Sequence, residues 1–349
     1  MKTSTVSSLS IQNAMRLTIM QAQNELLKSQ QEVTTGKYYD VGNELGSRTS
    51  MSLDLSRESL RLQSLIETNA IAKQRLESAQ EAMNQMATSA QSMMNGLVVV
   101  SGTADSNNLE VARKTASDSF DNFLAMANMS VSGEYLFAGI NTDVEPLVSS
   151  DTFMADFETA FTAYFGFAST DAAQTATITA AQMEDFITNT VEPMFTGTGT
   201  QWDTAWSSAS SDVMMSRVST SETIATSTSV NSQGMRNFAL ASVLSMGLLT
   251  LNLGSEVLNV VTEKAVDYTG KAISGVDAQR TQLGLSQERL EKANASLEIQ
   301  QDIIETNFTS MVEVDVYEAS TRVNNLLSLV EASYTLTAKI QQLSLVNYL

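Results

Sequence analysis

The chain has 349 residues, with 20 Lys and Arg against 39 Asp and Glu, a net charge of −19, and neither His nor Cys. Those two zeros exclude imidazole bases, Ser-His-Asp and Cys-His nucleophiles, His/Cys zinc and haem ligation, and disulfides. The acidic balance argues against binding nucleic acid or anionic lipid, which needs clustered Lys and Arg, and 16 Gly with 2 Pro leave few breakers, favouring long helices.

Met1 to Ser8 carries one base and no apolar run, unlike a cleaved signal peptide. The first helix is expected over about Ser10 to Thr34. Met15, Ile19, Ala22, Leu26 and Val33 recur at intervals of four, three, four and seven, a coiled-coil seam. Gly36 suits its C-cap, and Lys37 to Ser47 reads as a loop. A longer helix follows over about Thr49 to Val98. Leu55, Leu62, Asn69, Leu76, Met83, Ala90 and Leu97 lie seven apart, and Leu65, Ala72, Ala79, Met86 and Met93 fill the complementary positions. Ser101-Gly102-Thr103 closes it, and a third helix is expected from Asn108 to Val131.

From Thr115 to Ser216 there is no Lys or Arg, while 14 acids fall there, together with both prolines and both tryptophans. Between Thr196 and Ser232, 18 of 37 residues are Ser or Thr. Phe153, Phe157, Phe161 and Tyr164 follow helical spacing. Thr179-Ala180-Ala181-Gln182 fits a capping box. Val213 to Val218 and Thr223 to Val230, short and Thr/Val-rich, read as a β-hairpin.

Helix resumes at about Gln233. Asn237 to Gly254 is uncharged but broken by Asn and Ser, and suits a buried helix better than a membrane span. Leu283, Leu290, Leu297, Ile304 and Met311 sit seven apart, with a break expected at Met311 and Val312. Beyond it Val316, Val323 and Val330 continue, while Leu326, Leu329, Ser333, Leu336, Ile340 and Leu343 widen the stripe. So wide a stripe suits packing on two neighbours, as in a multi-subunit tube.

These patterns predict a mainly α fold: a long antiparallel coiled-coil or helical-bundle framework from both termini, with a small α+β inserted lobe containing a β-hairpin. The parts are an assembly helix and loop (1–47), two halves of a rod (48–142 and 233–312), an acidic Ser/Thr-rich outer lobe (143–232), and a C-terminal assembly helix (313–349). First and last helix are expected to pair antiparallel, leaving an outer apolar face for subunit contacts. An ordinary bundle that buries both helices, and two unrelated helical domains with a spacer, remain open on pattern alone.

No catalytic constellation emerges. Gly197-Thr198-Gly199-Thr200 lacks the spacing and Lys of a phosphate loop. Glu184 and Asp185 are adjacent and point about 100° apart on a helix. There is no Ca²⁺ loop motif. Met83, Met86, Met93 and Met94 fit a core stripe, and Trp202 and Trp206 an apolar anchor for the lobe. No catalytic, metal or cofactor residue is assigned.

Two segments carry a resemblance. One is Leu109 to Thr142, with Ala112-Arg113, Ala127-Asn128 and Gly133-Glu134-Tyr135-Leu136-Phe137-Ala138-Gly139-Ile140-Asn141-Thr142. The other is Glu331-Ala332-Ser333-Tyr334 through Gln342-Leu343-Ser344-Leu345-Val346-Asn347-Tyr348-Leu349. They resemble the bacterial flagellin superfamily and, within it, the hook–filament junction proteins (hook-associated protein 3), over about Met1 to Thr142 and Asp277 to Leu349. The segment after Gly36, Lys37-Tyr38-Tyr39-Asp40-Val41-Gly42, lacks the Pro often found there in the family.

The resemblance implies a structural, non-enzymatic protein of the extracellular flagellum, exported unfolded by the flagellar type III route with a chaperone. It implies a ring of copies of itself between an adjacent hook-associated protein and flagellin, which templates flagellin polymerisation. Met15, Ile19, Leu26, Val33, Leu326, Val330, Leu336, Ile340 and Leu343 are then assembly seams, and Gly133, Tyr135, Leu136, Phe137 and Gly139 the family motif. Flagellin itself, and a cytoplasmic coiled-coil adaptor, are the alternatives.

Overall fold

The structure is a computed structural model that describes residues 8–101, 105–197 and 199–346. It is mainly α, as the sequence predicts, with two small antiparallel hairpins. The chain divides into two compact units: residues up to Ser64 together with those from Glu298 onward, and Leu65–Leu297 between them.

In the first unit, α1 (Ser8–Thr35) ends at Gly36, whose φ of +69° only glycine adopts cheaply and whose N–H returns to Glu32 O at 2.8 Å. The expected loop is more ordered than the sequence suggests. Asp40 caps Asn43 N and starts α2 (Val41–Leu45), and a 3₁₀ turn, Gly46–Arg48, leads directly into α3 (Thr49–Val100). A four-residue polar cap carries no apolar periodicity, so the hydrophobic pattern could not reveal it.

The second unit is organised by the seven-residue series. Leu62, Leu76, Met83, Ala90 and Leu97 of α3 are fully buried, as are Ala79, Met86 and Met93. Ser101 remains a turn, whereas Gly102 and Thr103 lie outside the described residues. The helix α4 (Ser106–Ala127), capped by Asp105, stops four residues before the expected Val131. The reason is local. The Asn128 amide bonds Leu147 through both its atoms, and Ser132 and Gly133 take φ of +55° and +85°, the conformation of a tight hairpin turn. That turn joins β1 (Ser130–Val131) to β2 (Glu134–Tyr135).

The acidic insert then forms α5 (Ser150–Phe165), α6 (Ala172–Thr175), α7 (Ala180–Phe186) and α8 (Glu192–Phe195), with π-helical turns at Ile187–Val191 and Trp202–Trp206. The capping box at Thr179 and Gln182 is formed in both directions. Phe153, Phe157 and Phe161 are buried, and Tyr164 lies at the rim. Trp202 and Trp206 are the anchor expected of them. Trp206 stacks 4.6 Å from Phe153, its indole N–H on Asp156, and Trp202 donates to Asn231. The insert shares one hydrophobic cluster with α4 and α9, through Phe120–Phe153 at 5.4 Å and Phe123–Phe238 at 4.7 Å. The expected hairpin is β3 (Met215–Arg217) with β4 (Thr223–Ala225).

The uncharged stretch is a core helix, α9 (Gln233–Leu248), which ends six residues before the expected Gly254. Its buried Ser242 and Ser245 return their hydroxyls to Phe238 O and Ala241 O. The buried Arg236 is satisfied by Asp203 and by the carbonyls of Asn231 and Phe195. No described helix is long and apolar enough to cross a membrane. Last comes α10 (Ser255–Val312), antiparallel to α3, with Leu283, Leu290 and Leu297 buried, and then α11 (Val316–Val346). The break falls at Val312, as expected.

Candidate assembly interface

Among the described residues no cluster of carboxylates could hold a metal ion, so the candidate site is a surface rather than a chemical centre. It is built on α1 and α11, which lie antiparallel along their length. Gln23 donates to the Tyr334 hydroxyl at 2.8 Å, and Arg322 reaches Glu32 at 3.4 Å one helix end further on. Beyond the helices the pairing continues as a short bridge of Lys37 with Glu313. There Val314 N donates to Gly36 O and Tyr38 N to Val312 O, both at 3.0 Å.

The seam between the two helices is narrow. Ala22, Ser29 and Glu32 of α1 and Ala319 of α11 are buried. Of the sequence-predicted seam residues, Met15, Ile19, Leu26 and Val33 are half-buried on α1, as are Leu326 and Val330 on α11. Leu336 is not in this seam: it is 50% exposed. The side chains of Ile340 and Leu343 lie outside the described residues. The pair therefore leaves an apolar line in solvent, made of Leu17, Met20 and Leu27 on one helix and Leu329 and Leu336 on the other.

Two polar members escaped the apolar pattern. Ser29 is 1% exposed, and Glu32 uses one carboxylate oxygen for Tyr39 N at 3.1 Å and the other for Arg322. A Glu on the seam face opposite an Arg of the last helix was the available signal, legible only once the pairing register is known.

The Tyr-Leu-Phe-Ala-Gly run belongs to the core of the second unit. Gly133, at φ +85°, makes the β1–β2 turn. Tyr135 donates to Thr142 O at 2.8 Å and its own carbonyl accepts from Arg75. Leu136 and Phe137 are fully buried, and Phe137 O receives Val230 N at 2.9 Å. Gly139, at φ +66°, lies against the carbonyls of Ser210 and Asp212, so closely that a Cβ would collide with both. The motif is thus a strand threaded between the two returning segments of the insert, and its glycines are required by backbone conformation and contact.

Two family models match this chain. The bacterial flagellin N-terminal helical region covers residues 6–142 and the bacterial flagellin C-terminal helical region residues 266–349, together more than half of the sequence. The chain belongs to the bacterial flagellin family. Its members are structural rather than enzymatic, and this one is accordingly a structural component of the flagellum. Comparison with curated proteins gave no match. Among solved structures, one described as a flagellar hook-associated protein from Vibrio parahaemolyticus is similar at a TM-score of 0.55 and 12% identity. The match covers 77% of this flagellin-family chain and 99% of that one. At that identity the likeness is one of fold.

The matched regions contain α1 to α4 and most of α10 with all of α11, so the apolar line on the terminal helices lies in the family-defining part of this protein. Most of the aromatic insert lies outside both models.

Proposed function

We propose that this flagellin-family protein forms the junction between hook and filament and templates flagellin polymerisation. One observation carries the proposal: the terminal helices pair with each other yet leave Leu17, Met20, Leu27, Leu329 and Leu336 in water. A contiguous apolar surface of this kind marks a site of association. The reading assigns it to contacts within a ring of copies, with an adjacent hook-associated protein on one side and flagellin on the other. The fold similarity to a protein described as hook-associated supports the junction over the filament, as does the Tyr135–Gly139 motif. Export unfolded, with a chaperone, through the flagellar channel belongs to the same proposal.

Deletion of the gene, followed by electron microscopy of cells and immunoblotting of flagellin in the medium, tests it. The expected result is hooks without filaments and flagellin monomers released outside. Hooks without filaments and without released flagellin would make this chain the filament subunit. Normal filaments would overturn both readings and leave a cytoplasmic adaptor.

A further inference from the structure

Two helices of the first unit each present an apolar face that the chain itself leaves bare. On α3, Leu53 and Leu60 are 54% and 69% exposed, and Arg57 stands between them. Steps of four and three residues put these side chains in one line, which at about 100° per residue runs opposite the buried Leu62. Arg57 has one weak ion pair, with Asp54 at 3.8 Å, where both partners are mostly in solvent.

On α10, Ile299 and Ile303 are 61% and 56% exposed, one turn apart and opposite the buried Leu297. Beside them Asp302, Glu305 and Glu313 line a groove of about 560 Å³. From Ala293 to Thr321 the chain carries six acids and no Lys or Arg, and neither Asp302 nor Glu305 has an ion pair among the described residues.

In this unit α3 and α10 run antiparallel, with Gln301 donating to Gln63 at 2.8 Å. Faces that each point away from a shared seam look in opposite directions, so within one chain they cannot meet. Between two chains they match in both respects: apolar against apolar, and a cation against uncompensated acids. For copies set side by side at one height, the Gln63–Gln301 pairing brings Leu60 level with Ile303 and Arg57 within a turn of Glu305.

We infer that the Leu53–Arg57–Leu60 face of one copy docks on the Ile299–Ile303 face of a second copy, Arg57 against Asp302 and Glu305. The contact joins unlike surfaces, so it repeats from copy to copy and closes a ring or continues as a helix. It rests on the assembly reading above but adds a lateral surface distinct from the terminal helices.

The Cys-free sequence makes the test clean. Full-length chains carrying Leu60→Cys, Ile303→Cys, or both replace the native protein in cells, and isolated flagella are oxidised mildly. The double variant should give a disulfide-linked ladder, each single variant only monomer. Pairing Leu60→Cys with Ile299→Cys covers a one-turn axial offset. Flagella that contain the double variants but give no ladder, or a dimer from Leu60→Cys alone, would overturn the inference and leave the junction reading intact. Arg57→Glu should lower the ladder yield about tenfold, as like charges across an interface do, and Glu305→Arg in the same chain should restore it; no recovery also counts against the contact. If the wild-type chain is missing from flagella, the junction reading fails first. The same double variants in concentrated solution then decide the contact alone, a ladder supporting it and monomer overturning it.

Discussion

Asn69 and Asn294 meet across the α3–α10 seam, Nδ2 to Oδ1 at 2.6 Å, and the same Asn69 amide holds Val218 O of the β3–β4 hairpin at 2.9 Å. Asn69 is 1% exposed and stands alone as an amide in a seven-residue series of Leu, Met and Ala. Its Nδ2 serves two acceptors while its own Oδ1 has no partner. Asn69→Ala should therefore strip both acceptors, at about 1–3 kcal/mol for each group left bare. Asn69→Asp, equal in shape but without the donor, should cost more, since it buries a charge. Urea denaturation followed by helical circular dichroism measures both; a midpoint unchanged in either variant would remove Asn69 from the seam's energetics.

Where α9 crosses α10, Gly234 and Gly275 touch through their backbones. A Cβ on Gly234 would lie 2.7 Å from the Gly275 carbonyl carbon, with no flexible side chain to yield. Gly234→Ala should destabilise by about 1–3 kcal/mol, the usual cost of overpacking a tight core. Gly254→Ala, which meets nothing within 4 Å at an ordinary φ, should stay within about 0.5 kcal/mol of the parent. Equal losses in the two variants would contradict the close crossing.

These two contacts show what periodicity conveys. The seven-residue series located the buried faces of α3 and α10 because burial repeats with the helix, and the Thr179 box was readable because its chemistry is local. The Gly234–Gly275 crossing joins residues 41 apart in a segment buried all round, where no stripe exists to read. The Ser132–Gly133 turn was masked by a helical pattern running into it. On the terminal helices the apolar positions were legible, but their division was not. Whether Leu326 faces α1 while Leu336 faces water depends on pairing register, which a stripe alone does not set.

Acid should loosen the insert through Asp203. Burial by itself would raise this carboxyl; the hydrogen bond and charge of Arg236, with help from Thr200, outweigh that and hold it below its ordinary 3.8. The folded state thus favours the ionised form. Its contribution is complete above the ordinary carboxylate range and is lost as pH falls through the depressed value. Both tryptophans lie in this network, Trp202 under the Arg236 guanidinium at 5.5 Å. Tryptophan fluorescence should then show an acid transition below about pH 4 that Asp203→Asn largely removes while lowering stability at pH 7. A transition unmoved by that substitution would assign it to another carboxylate.

The terminal helices give the sharpest separation between folding and assembly. Leu336 is half exposed in the single chain, whereas Leu76 is fully buried. Leu76→Ala should cost about 2–5 kcal/mol in the free protein, by lost transfer energy and a residual cavity. Leu336→Ala should cost less than about 1 kcal/mol there, because most of its surface already touches water. In the assembled junction the order reverses if the proposed contacts form. Burying Leu336 against a neighbouring subunit makes its truncation cost about 2–5 kcal/mol per contact, enough at several copies per ring to abolish incorporation. The measurement is paired: thermal melting of the free chain, and recovery of each variant in isolated flagella. Leu336→Ala with a normal melt and lost incorporation supports a surface reserved for assembly. Normal incorporation with a normal melt would show that the exposed line of α11 is not a subunit contact, and equal losses in both would mean that Leu336 serves the fold of the single chain.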